Sequence, residues 1–457
     1  MSTIAAISTA TGAGGIGIIR MSGEQSFEIL KKIFQPIQKY ENKEIQGYTI
    51  KFGHIVDKNK NEIIDEVLVS FFKNPKSYTK EDMCEINSHG GIIIERKILE
   101  LCLKNGAEIA EPGEFTKRAF LNGRIDLTQA ESVIDIINSK SNKEAEASIN
   151  QLEGKLSNEI KSIKKKLLDI MADIEASIDY PEYDIEELST EQLLNKIFEI
   201  KQELILLKDS FNSGKILREG IKTIIIGKPN SGKSSLLNYI LNEERAIVSD
   251  VPGTTRDTIE EFITIQGIPL KIIDTAGIRN TSDKIEEIGV KRALKLTEEA
   301  DLIIAIFDGS KKLDNEDFEI LELIKEKNAI IINNKIDLEN SHVNAPNLKN
   351  INKTIVDMST KNKIGINALY DEILKMFRVN EININDGVII TNTRHKNQIE
   401  KAIESLEESI KSIEIEMPVD ITSVYIKQII SELNTITGEN VSEDIINEIF
   451  SKFCLGK

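Results

Sequence analysis

An eight-residue run near the middle of the chain has the residue types and spacing of a loop that binds phosphates. Residues 227–234 read Gly-Lys-Pro-Asn-Ser-Gly-Lys-Ser, after an apolar stretch that predicts a strand and before one with helical spacing. The glycines let backbone N–H groups close on a polyphosphate, Lys233 reaches the outer phosphates, and the Ser234 hydroxyl faces Mg²⁺. We expect a nucleoside triphosphate as ligand. A chance match in a glycine-containing loop is the alternative.

A second stretch predicts that the base of this nucleotide is guanine. Residues 330–337 read as a buried strand that ends in the pattern N-K-x-D. The Asp337 carboxylate can accept hydrogen bonds from guanine N1–H and the 2-amino group, which adenine does not offer. An unpaired buried carboxylate is costly, so discrimination should be strong. The predicted base site comprises Asn334, Lys335 and Asp337, with Ser359, Thr360 and Lys361 after the next predicted strand.

Two loops between these motifs predict contacts to Mg²⁺ and the γ-phosphate. Asp274 and Gly277 form the pattern D-x-x-G after a predicted strand, so Asp274 would hold Mg²⁺ through water and the Gly277 N–H would contact the phosphate. Upstream, the adjacent Thr254 and Thr255 can supply one hydroxyl to Mg²⁺. Either loop alone is typical of an ordinary turn. All the elements in this order over about 135 residues favour a GTP site.

One position departs from the pattern of many small GTPases. Ile278 follows D-x-x-G where those enzymes place a glutamine that orients the attacking water. Because this side chain is apolar, another residue must orient the water. Another positive charge must also stabilise the transition state.

Composition and charge exclude several classes of protein. The 457 residues suffice for about three domains. There is no signal-peptide pattern and no apolar run of about 18 residues, so we expect a soluble cytoplasmic protein with no membrane segment.

Three cysteines without C-x-x-C spacing favour neither a disulfide framework nor a zinc site. The net charge of −17 argues against a surface that binds nucleic acid everywhere, and four lysines within residues 161–166 indicate a local basic patch or a solvated helix face.

Three kinds of segment must position the candidate residues. Residues 1–118 alternate strand-like and helical runs, which predicts a mixed α+β domain, and the glycine-rich turn within it is no phosphate loop because no Lys-Ser/Thr follows. Residues 119–214 and 381–457 predict long amphipathic helices, and residues 215–380 between them alternate strands with helices. We therefore predict a multidomain α/β and α protein, in which a P-loop α/β domain is inserted into a discontinuous all-helical domain. The junctions are expected near residues 213–214 and 383–386.

Periodicity predicts individual elements within these segments. Strands are expected at residues 3–8, 16–21, 53–55, 66–72, 223–226, 270–273, 330–332 and 354–357. Helices are expected at residues 25–33, 92–103, 127–140, 145–178, 191–211, 394–415, 421–435 and 442–453.

Five short motifs, taken in order, carry a resemblance to a known family. They are residues 3–23, Ser-His-Gly-Gly at 88–91, Glu-Pro-Gly-Glu-Phe-Thr-Lys-Arg-Ala-Phe-Leu-Asn-Gly at 111–123, residues 230–279, and Phe-Cys-Leu-Gly-Lys at 453–457. Each one is short, but their joint order is specific. By these motifs the chain resembles the MnmE/TrmE family of tRNA modification GTPases over nearly all of its length.

The resemblance implies a homodimer held by the N-terminal domains, with GTPase (G) domains that pair across the dimer during hydrolysis. It implies Mg²⁺ on Ser234 and Thr255, and K⁺ in place of an arginine finger. The implied K⁺ ligands are Asn230, Ser249, Val251 and Thr254. The implied GTP-binding residues are Asn230, Ser231, Gly232, Lys233, Ser234, Ser235, Ser249, Asp250, Val251, Pro252, Gly253, Thr254, Thr255, Asp274, Thr275, Ala276, Gly277, Asn334, Lys335, Asp337, Ser359, Thr360 and Lys361.

Three residues are candidates for catalytic roles. Glu286 matches the family's water-orienting glutamate and takes over the role that Ile278 cannot perform, although by itself it would indicate a solvated acid on a helix face. Lys233 would act on the phosphates. Cys454 is a candidate nucleophile near a reduced folate that the resemblance also implies. No neighbour in sequence obviously activates it, and a packed structural thiol is an equal alternative.

The resemblance also implies that the N-terminal domain binds a reduced folate, 5-formyl- or 5,10-methylene-tetrahydrofolate, as a one-carbon donor. The matching residues are Arg20, Glu85, Arg124 and Lys457, with Arg124 in place of a lysine. The cations suit the glutamyl carboxylates and Glu85 suits the N–H edge of the pterin. Read alone, each would be a surface ion-pair residue.

The function implied is hydrolysis of GTP to GDP and phosphate in the modification of C5 of the wobble uridine of certain tRNAs. A flavoprotein partner of the MnmG/GidA type, in a heterotetramer or larger complex, would supply FAD and NADH. Two alternatives remain at this point. One is a GTP-dependent switch or ribosome-assembly factor without RNA chemistry, and the other is a folate-dependent enzyme with an incidental GTPase.

Overall fold

A computed structural model describes residues 1–10, 12–37, 47–179, 190–243, 261–273, 297–338, 352–378 and 387–457. The chain divides into two compact units. Unit 1 contains residues 1–134, 151–161 and 430–457, and unit 2 contains residues 135–150 and 162–429.

The described strands are β1 (Ile4–Ile7), β2 (Ile16–Ser22), β3 (Phe34–Pro36), β4 (Thr49–Asp57), β5 (Glu62–Phe72), β6 (Met83–His89), β7 (Glu108–Ile109), β8 (Ile221–Gly227), β9 (Glu261–Ile265), β10 (Ile268–Ile272), β11 (Leu302–Asp308), β12 (Ala329–Asn334) and β13 (Thr354–Met358). The described helices are α1 (Ser26–Ile33), α2 (Ile92–Lys104), α3 (Glu114–Leu121), α4 (Leu127–Asn138), α5 (Asn142–Leu152), α6 (Lys155–Asp179), α7 (Thr190–Glu219), α8 (Lys233–Glu243), α9 (Asn315–Ile324), α10 (Ile366–Met376), α11 (Thr393–Glu414), α12 (Val419–Thr437) and α13 (Glu443–Ser451).

Unit 1 is built on a seven-stranded sheet in the order β3-β4-β5-β6-β2-β1-β7. Successive side chains of a strand point to opposite faces, so β2 sends Ile19 and Met21 into the core and leaves Arg20 on the other face. Helices α1 and α2 cover the core face with apolar residues such as Leu30 and Ile98. The opposite face is therefore the one on which polar residues of β2 and β6 can form a site.

A second core of unit 1 joins α3 to the end of the chain. Phe450 and Phe453 pack with Ala119 and Leu127 in one buried cluster. Gly113 precedes α3 with φ 69°, and a Cβ there would lie 2.7 Å from the Phe450 carbonyl oxygen. This packing fixes the position at which the chain's last residues begin.

Unit 2 contains a six-stranded sheet in the order β13-β12-β11-β8-β10-β9. All neighbours are parallel except the edge pair β10 and β9. Strands such as β11 and β12 are buried throughout, as expected of parallel strands covered on both faces. The carboxyl ends of β8, β11, β12 and β13 consequently meet along one edge of the sheet.

Helix α7 leads directly into the central strand β8. The helix runs through the predicted junction at residues 213–214 and ends at Glu219. Gly220 ends it in the left-handed conformation, with φ 76°, and a Cβ there would lie 2.7 Å from the Pro269 carbonyl oxygen. A single residue thus separates a 30-residue helix from the strand that carries the candidate phosphate loop.

The predicted single helix at residues 145–178 is wrong. The structure has two helices there, α5 and α6, because Gly154 adopts a left-handed conformation with φ 88°. The side chain of Gln129 donates a hydrogen bond to the Leu152 carbonyl oxygen (2.7 Å) at the end of α5. The break is therefore part of the packing of unit 1.

Two hydrogen bonds that involve side chains cap the start of α5. The Glu144 N–H donates to Ser141 Oγ (3.1 Å), and the Glu144 carboxylate accepts from the Lys140 N–H (2.6 Å). The Glu144 side chain is buried, and burial raises its pKa to about 7. An ionisable group near neutral pH therefore lies within unit 2.

Among the described residues, no helix is both long and apolar enough to cross a membrane. The junction predicted at residues 383–386 lies outside the described residues. The division into residues 1–118, 119–214, 215–380 and 381–457 stays a prediction.

Candidate functional site

The loop between β8 and α8 has a backbone that only glycine allows at two positions. Gly227 and Gly232 have φ 153° and 114°. A Cβ on the first would lie 2.4 Å from the Ile306 carbonyl oxygen, and one on the second 2.1 Å from Asn334 Nδ2. Asn230 lies exposed in the loop with φ 61°. The loop is thus packed against the ends of β11 and β12 without room for side chains.

One of the two lysines of this loop is Lys233, the first residue of α8. Its ammonium donates to the carbonyl oxygens of Gly227 (2.6 Å) and Lys228 (2.7 Å). Burial lowers the pKa of this lysine. Both of these described partners are neutral carbonyl groups, so an anion bound at the loop would form a stronger, charge-assisted hydrogen bond with the ammonium. Ser234 and Ser235 follow in the first turn of the helix.

One buried hydroxyl of the loop has no hydrogen-bond partner among the described residues. Ser231 is 3% exposed, and its Oγ is unpaired. Its backbone carbonyl oxygen, in contrast, accepts from Asn334 Nδ2 (2.8 Å). The loop is therefore held by its backbone and not by this side chain.

Asn334 joins the loop to the segment after β13. Besides its bond to Ser231, its Oδ1 accepts from the Thr360 N–H (3.1 Å), and its Nδ2 lies 3.3 Å from Thr360 Oγ1. The side chain is fully buried. The predicted residues of two sequence-distant loops are thus brought together by one amide.

Asp337 presents an ionised carboxylate at the same edge of the sheet. Its Oδ1 accepts from Ser359 Oγ (2.6 Å), and this hydrogen bond is the main cause that lowers the pKa of Asp337. The residue is exposed, so any burial of its charge must come from a ligand. Ser359 is fixed in turn by backbone hydrogen bonds to Ile364 (both 3.1 Å), and Lys361 lies close enough to lower the pKa of Asp337 further.

Two sets of ion pairs that anchor this edge were not predicted from the sequence, and the first involves Asp308. Lys335, with φ 67°, places its Nζ 2.7 Å from Asp308, which ends β11 and also accepts from Ser310 Oγ (2.7 Å). Burial alone would raise the pKa of Asp308, but the hydrogen bonds from Lys335 and Ser310 outweigh it and lower the pKa. The position of Asp308 at the carboxyl end of an apolar run is the sequence feature that could have identified this residue.

The second anchor is Lys228 within the phosphate loop. Its ammonium forms ion pairs with Asp314 and with Asp317 (3.2 Å), the two residues of the capping box that begins α9. The hydrogen bond to Asp314 is the main cause that raises the pKa of Lys228. The loop is thereby tied to a neighbouring helix as well as to β12.

Several predicted residues lie outside the described part of the chain, and the structure does not place them: Ser249, Asp250, Val251, Pro252, Gly253, Thr254, Thr255, Asp274, Thr275, Ala276, Gly277 and Glu286.

In unit 1, the predicted folate-binding residues Arg20 and Glu85 form an ion pair. The antiparallel register of β2 and β6 places them opposite each other. Arg20 Nε and Nη2 lie 2.9 Å and 2.8 Å from Glu85 Oε1. Arg20 Nη1 also donates to the Gly456 carbonyl oxygen (3.2 Å). The pair therefore reaches the last residues of the chain.

These last residues are held against β1 and α3. The Gly456 carbonyl oxygen accepts from Ser8 Oγ (3.0 Å), and the Phe115 N–H donates to the Lys457 carbonyl oxygen (3.1 Å). Gly456 has φ 82°, and a Cβ there would lie 2.4 Å from the Ile7 carbonyl oxygen. Burial lowers the pKa of Lys457, and the neighbouring charge of Arg20 lowers it further.

Arg124 joins the same group through an aromatic ring that the sequence analysis did not identify. Its guanidinium carbon lies 4.4 Å from the ring centroid of Tyr78, and that of Arg20 lies 5.3 Å from the same centroid. Arg20, Glu85, Arg124, Lys457 and Tyr78 thus form one group of side chains, which we call the cationic cluster.

The cysteines differ in environment. Cys84 and Cys102 are fully buried, and burial raises the pKa of both thiols, that of Cys102 to about 12. Both are therefore protonated at neutral pH. Cys454 is exposed, and its carbonyl oxygen accepts from the Gly113 N–H (3.4 Å).

Comparison with known proteins places almost the whole chain in one family. Residues 127–454 match the MnmE helical domain, and residues 3–124 match the GTP-binding protein TrmE N-terminus.

Curated relatives agree with these matches over their full length. The chain is 50% identical to the tRNA modification GTPase MnmE of Acetivibrio thermocellus over 456 residues, covering 100% of this chain and 99% of that protein. It is 49% identical over 456 residues to the protein of that name from Clostridioides difficile and 48% identical over 457 residues to that from Alkaliphilus oremlandii, with the same coverage. The chain therefore belongs to the MnmE family of tRNA modification GTPases.

Proposed function

We propose that this protein hydrolyses GTP to GDP and phosphate as a step in tRNA modification. The observation that carries the proposal is the buried side chain of Asn334, which joins the Ser231 carbonyl oxygen to the Thr360 N–H. This bridge holds the loop after β8 beside the segment after β13, where Ser359 contacts the Asp337 carboxylate, and this supports one nucleotide bound across both. The relatives' names state the same activity.

Guanine selectivity is assigned to Asp337. Its carboxylate is ionised, exposed and oriented by Ser359, so it can accept two hydrogen bonds from guanine. Asp337→Asn replaces one acceptor oxygen by a donor, and we expect GTP affinity to fall about 100-fold. Fluorescence titration with labelled GTP, xanthosine triphosphate and ATP measures this, and the variant should prefer xanthosine triphosphate. ATP binding as tight as GTP binding in the natural protein would contradict the proposal.

Magnesium and potassium fit the two described residues that would hold them. Ser234 lies in the first turn of α8, directly after Lys233. Asn230 is exposed, and no described residue forms a hydrogen bond with its side-chain amide, so the amide oxygen can accept a cation. Thr255 would complete the Mg²⁺ site, and the remaining K⁺ ligands would be Ser249, Val251 and Thr254. A bound K⁺ supplies positive charge at the phosphates.

Potassium dependence gives a direct test of this assignment. Hydrolysis in KCl should greatly exceed hydrolysis in NaCl, and Asn230→Ala should remove the preference while leaving the protein folded. Equal rates in the two salts would refute the K⁺ site.

Glu286 is proposed as the residue that orients the attacking water, since Ile278 cannot. Glu286→Ala should lower kcat and leave GTP affinity nearly unchanged. A collapse of affinity would instead assign Glu286 a structural role.

A reduced folate, 5-formyl- or 5,10-methylene-tetrahydrofolate, is proposed as the ligand of the cationic cluster. The cluster contains three cationic side chains and one carboxylate, and burial lowers the pKa of Lys457, so an added carboxylate would be stabilised there. Arg20, Arg124 and Lys457 would bind the glutamyl carboxylates, and Glu85, 2.8 Å from Arg20, would orient that arginine instead of reaching the pterin N–H edge at the other end of the folate. Calorimetric titration with 5-formyltetrahydrofolate tests the assignment, and absence of binding would exclude it. Cys454 is exposed in the same terminal segment, and in the described part of the chain the one neighbour that bears on a catalytic role is the Lys457 ammonium.

A homodimer is proposed through β4 and β5, on the face of the unit 1 sheet opposite α1 and α2. Ile50, Phe52 and Leu68 are exposed there, at 65%, 44% and 49%, and Phe52 and Leu68 are directly opposite in register. Apolar side chains in such a row favour association. Leu68→Asp should weaken the dimer in sedimentation experiments, whereas Leu206→Asp, at a leucine of α7 that is still more exposed (70%), should not.

The substrate is proposed to be C5 of the wobble uridine of certain tRNAs, modified in the cytoplasm with a MnmG/GidA-type flavoprotein that carries FAD and NADH. Family membership supports this step. Nucleoside analysis of bulk tRNA from cells with and without the gene tests it. Unchanged wobble uridine would leave a GTP-dependent switch as the better description.

A further inference from the structure

Tyr78 is a shared partner of two arginines in the cationic cluster. The guanidinium carbons of Arg124 and Arg20 lie 4.4 Å and 5.3 Å from its ring centroid. Arg20 also lies 5.6 Å from the ring centroid of Phe115. Both distances to Tyr78 are within the range in which the negative face of an aromatic ring attracts a cation.

The two arginines differ in what else holds them. Arg20 is half-buried, and Glu85 neutralises its charge at 2.8 Å. Arg124 is exposed, and in the described part of the chain no carboxylate lies within ion-pair distance of it. The Tyr78 ring is therefore the contact that fixes the Arg124 guanidinium, which would otherwise sample many rotamers in solvent.

The ring itself has a fixed position. Its hydroxyl lies 2.9 Å from Oγ1 of Thr116, which is fully buried in α3. The ring also packs against the buried cluster that contains Phe115. The next residue, Thr79, is buried and hydrogen-bonded to Ser22 (2.6 Å). Tyr78 is thus held at its hydroxyl, at its ring and through its neighbour in sequence.

We infer that Tyr78 is a positioning residue of the cationic cluster, whose ring holds Arg20 and Arg124 together so that both meet the carboxylates of one bound anion. The inference rests on the reduced folate proposed above as that anion. Two like charges around one ring repel each other, and the attraction of each to the ring offsets that repulsion before the ligand arrives.

The test compares Tyr78→Leu with Tyr78→Phe. Leucine fills most of the space but has no ring face, so affinity for 5-formyltetrahydrofolate, measured by calorimetry, should fall about tenfold. Phenylalanine keeps the ring and loses only the hydroxyl, so its affinity should stay within about twofold of the natural protein. Tyr425→Leu, at a half-buried tyrosine of unit 2, is the matched control and should bind folate normally.

A second comparison separates positioning from simple packing. In a protein that already carries Arg124→Ala, Tyr78→Leu should cost much less affinity than in the natural protein, because the ring has lost one of its two cations. An equal cost in both backgrounds would overturn the inference. If Tyr78→Leu lowers the unfolding temperature too far to be studied, Tyr78→Met replaces it in both comparisons.

The remaining outcomes are distinct. Folate binding by the natural protein with unchanged affinity in the leucine variant would refute the role of Tyr78 alone. Absence of folate binding by the natural protein would refute both this inference and the folate assignment, and GTP hydrolysis by the same sample would show that the protein is folded.

Discussion

The phosphate loop of unit 2 and the cationic cluster of unit 1 both gather positive charge, and each is proposed above as an anion site, but they are built differently. The loop uses eight consecutive residues, and backbone geometry shapes it, with glycines where side chains would clash. The cluster uses side chains from β2, β6, the segments around α3 and the end of the chain. The loop therefore depends on local conformation, whereas the cluster depends on strand register and on the anchoring of the chain's last residues.

This difference implies that comparable substitutions in the loop and in the cluster should change the binding of different ligands. A change in the loop should alter nucleotide binding directly. A change in the cluster's supports should alter folate binding at a distance and leave nucleotide chemistry intact.

The largest effect is expected from Gly232→Ala in the loop. The added Cβ would lie 2.1 Å from Asn334 Nδ2, at a φ of 114° that alanine rarely adopts. Clash and strain together should cost at least about 3 kcal/mol, or about 100-fold in GTP affinity. Gly387→Ala is the control, because nothing lies within 4 Å of its added Cβ. Titration with labelled GTP measures both, and normal binding by Gly232→Ala would show that the loop adapts.

The corresponding substitution in the cluster's support is Gly456→Ala. Its Cβ would lie 2.4 Å from the Ile7 carbonyl oxygen at a φ of 82°, so the terminal residues must detach and move Lys457 away from Arg20. Folate affinity should fall about tenfold while GTP hydrolysis stays unchanged. Leu455→Ala, at an exposed neighbour, should leave both alone. A parallel loss of GTP hydrolysis would show that the two sites are not independent.

A different kind of effect, on the pH dependence of stability, is expected in unit 2. The pKa of Glu144 is about 7 in the folded protein and 4.5 in its ordinary state, so its contribution to stability is full below pH 4.5 and is lost as pH rises through 7. Glu144→Gln keeps an acceptor for the Lys140 N–H and has no charge, so it should gain about 2 kcal/mol at pH 8 relative to the natural protein. Unfolding temperatures between pH 4.5 and 8 measure this. Parallel curves for the two proteins would contradict the assignment.

The smallest effect tests whether the Ser231 hydroxyl contributes to holding the loop or binding the nucleotide. Ser231→Ala removes a buried hydroxyl that has no described partner and keeps the carbonyl oxygen bonded to Asn334. We expect stability to rise by about 0.5–1 kcal/mol and GTP affinity to change less than about twofold. Denaturant unfolding and labelled-GTP titration measure the two. A clear loss of GTP affinity would assign the hydroxyl a ligand contact.

The same difference explains what could be predicted from sequence. Strand β8, the phosphate loop and the N-K-x-D strand were identified because each is a contiguous pattern, and the structure confirms β8 and β12 close to their predicted bounds. Strand β6 was not identified because only three of its seven residues are apolar, although buried and less buried positions alternate from Cys84 to His89 as in a strand with one buried face. It pairs with β5 and β2 in the sheet.

The remaining differences have similar causes. Gly154 separates two helices where the helical spacing of apolar residues continues without a break. The spacing does not report the left-handed backbone of one residue. Tyr78 and Asp308 were missed because their roles come from neighbours that are distant in sequence, Arg124 and Lys335. Contacts between residues distant in sequence depend on the topology of the fold, so the spacing of residues within one segment does not predict them.

Because only Gly220 separates α7 from β8, a change in the angle between them turns the whole helix about this residue. At 1.5 Å per residue, its 30 residues extend about 45 Å from the strand that carries the phosphate loop. A tilt of about 5° at this pivot therefore displaces the far end of the helix by about 4 Å. Subångström rearrangements near a nucleotide can in this way become movements large enough to be measured between spectroscopic labels.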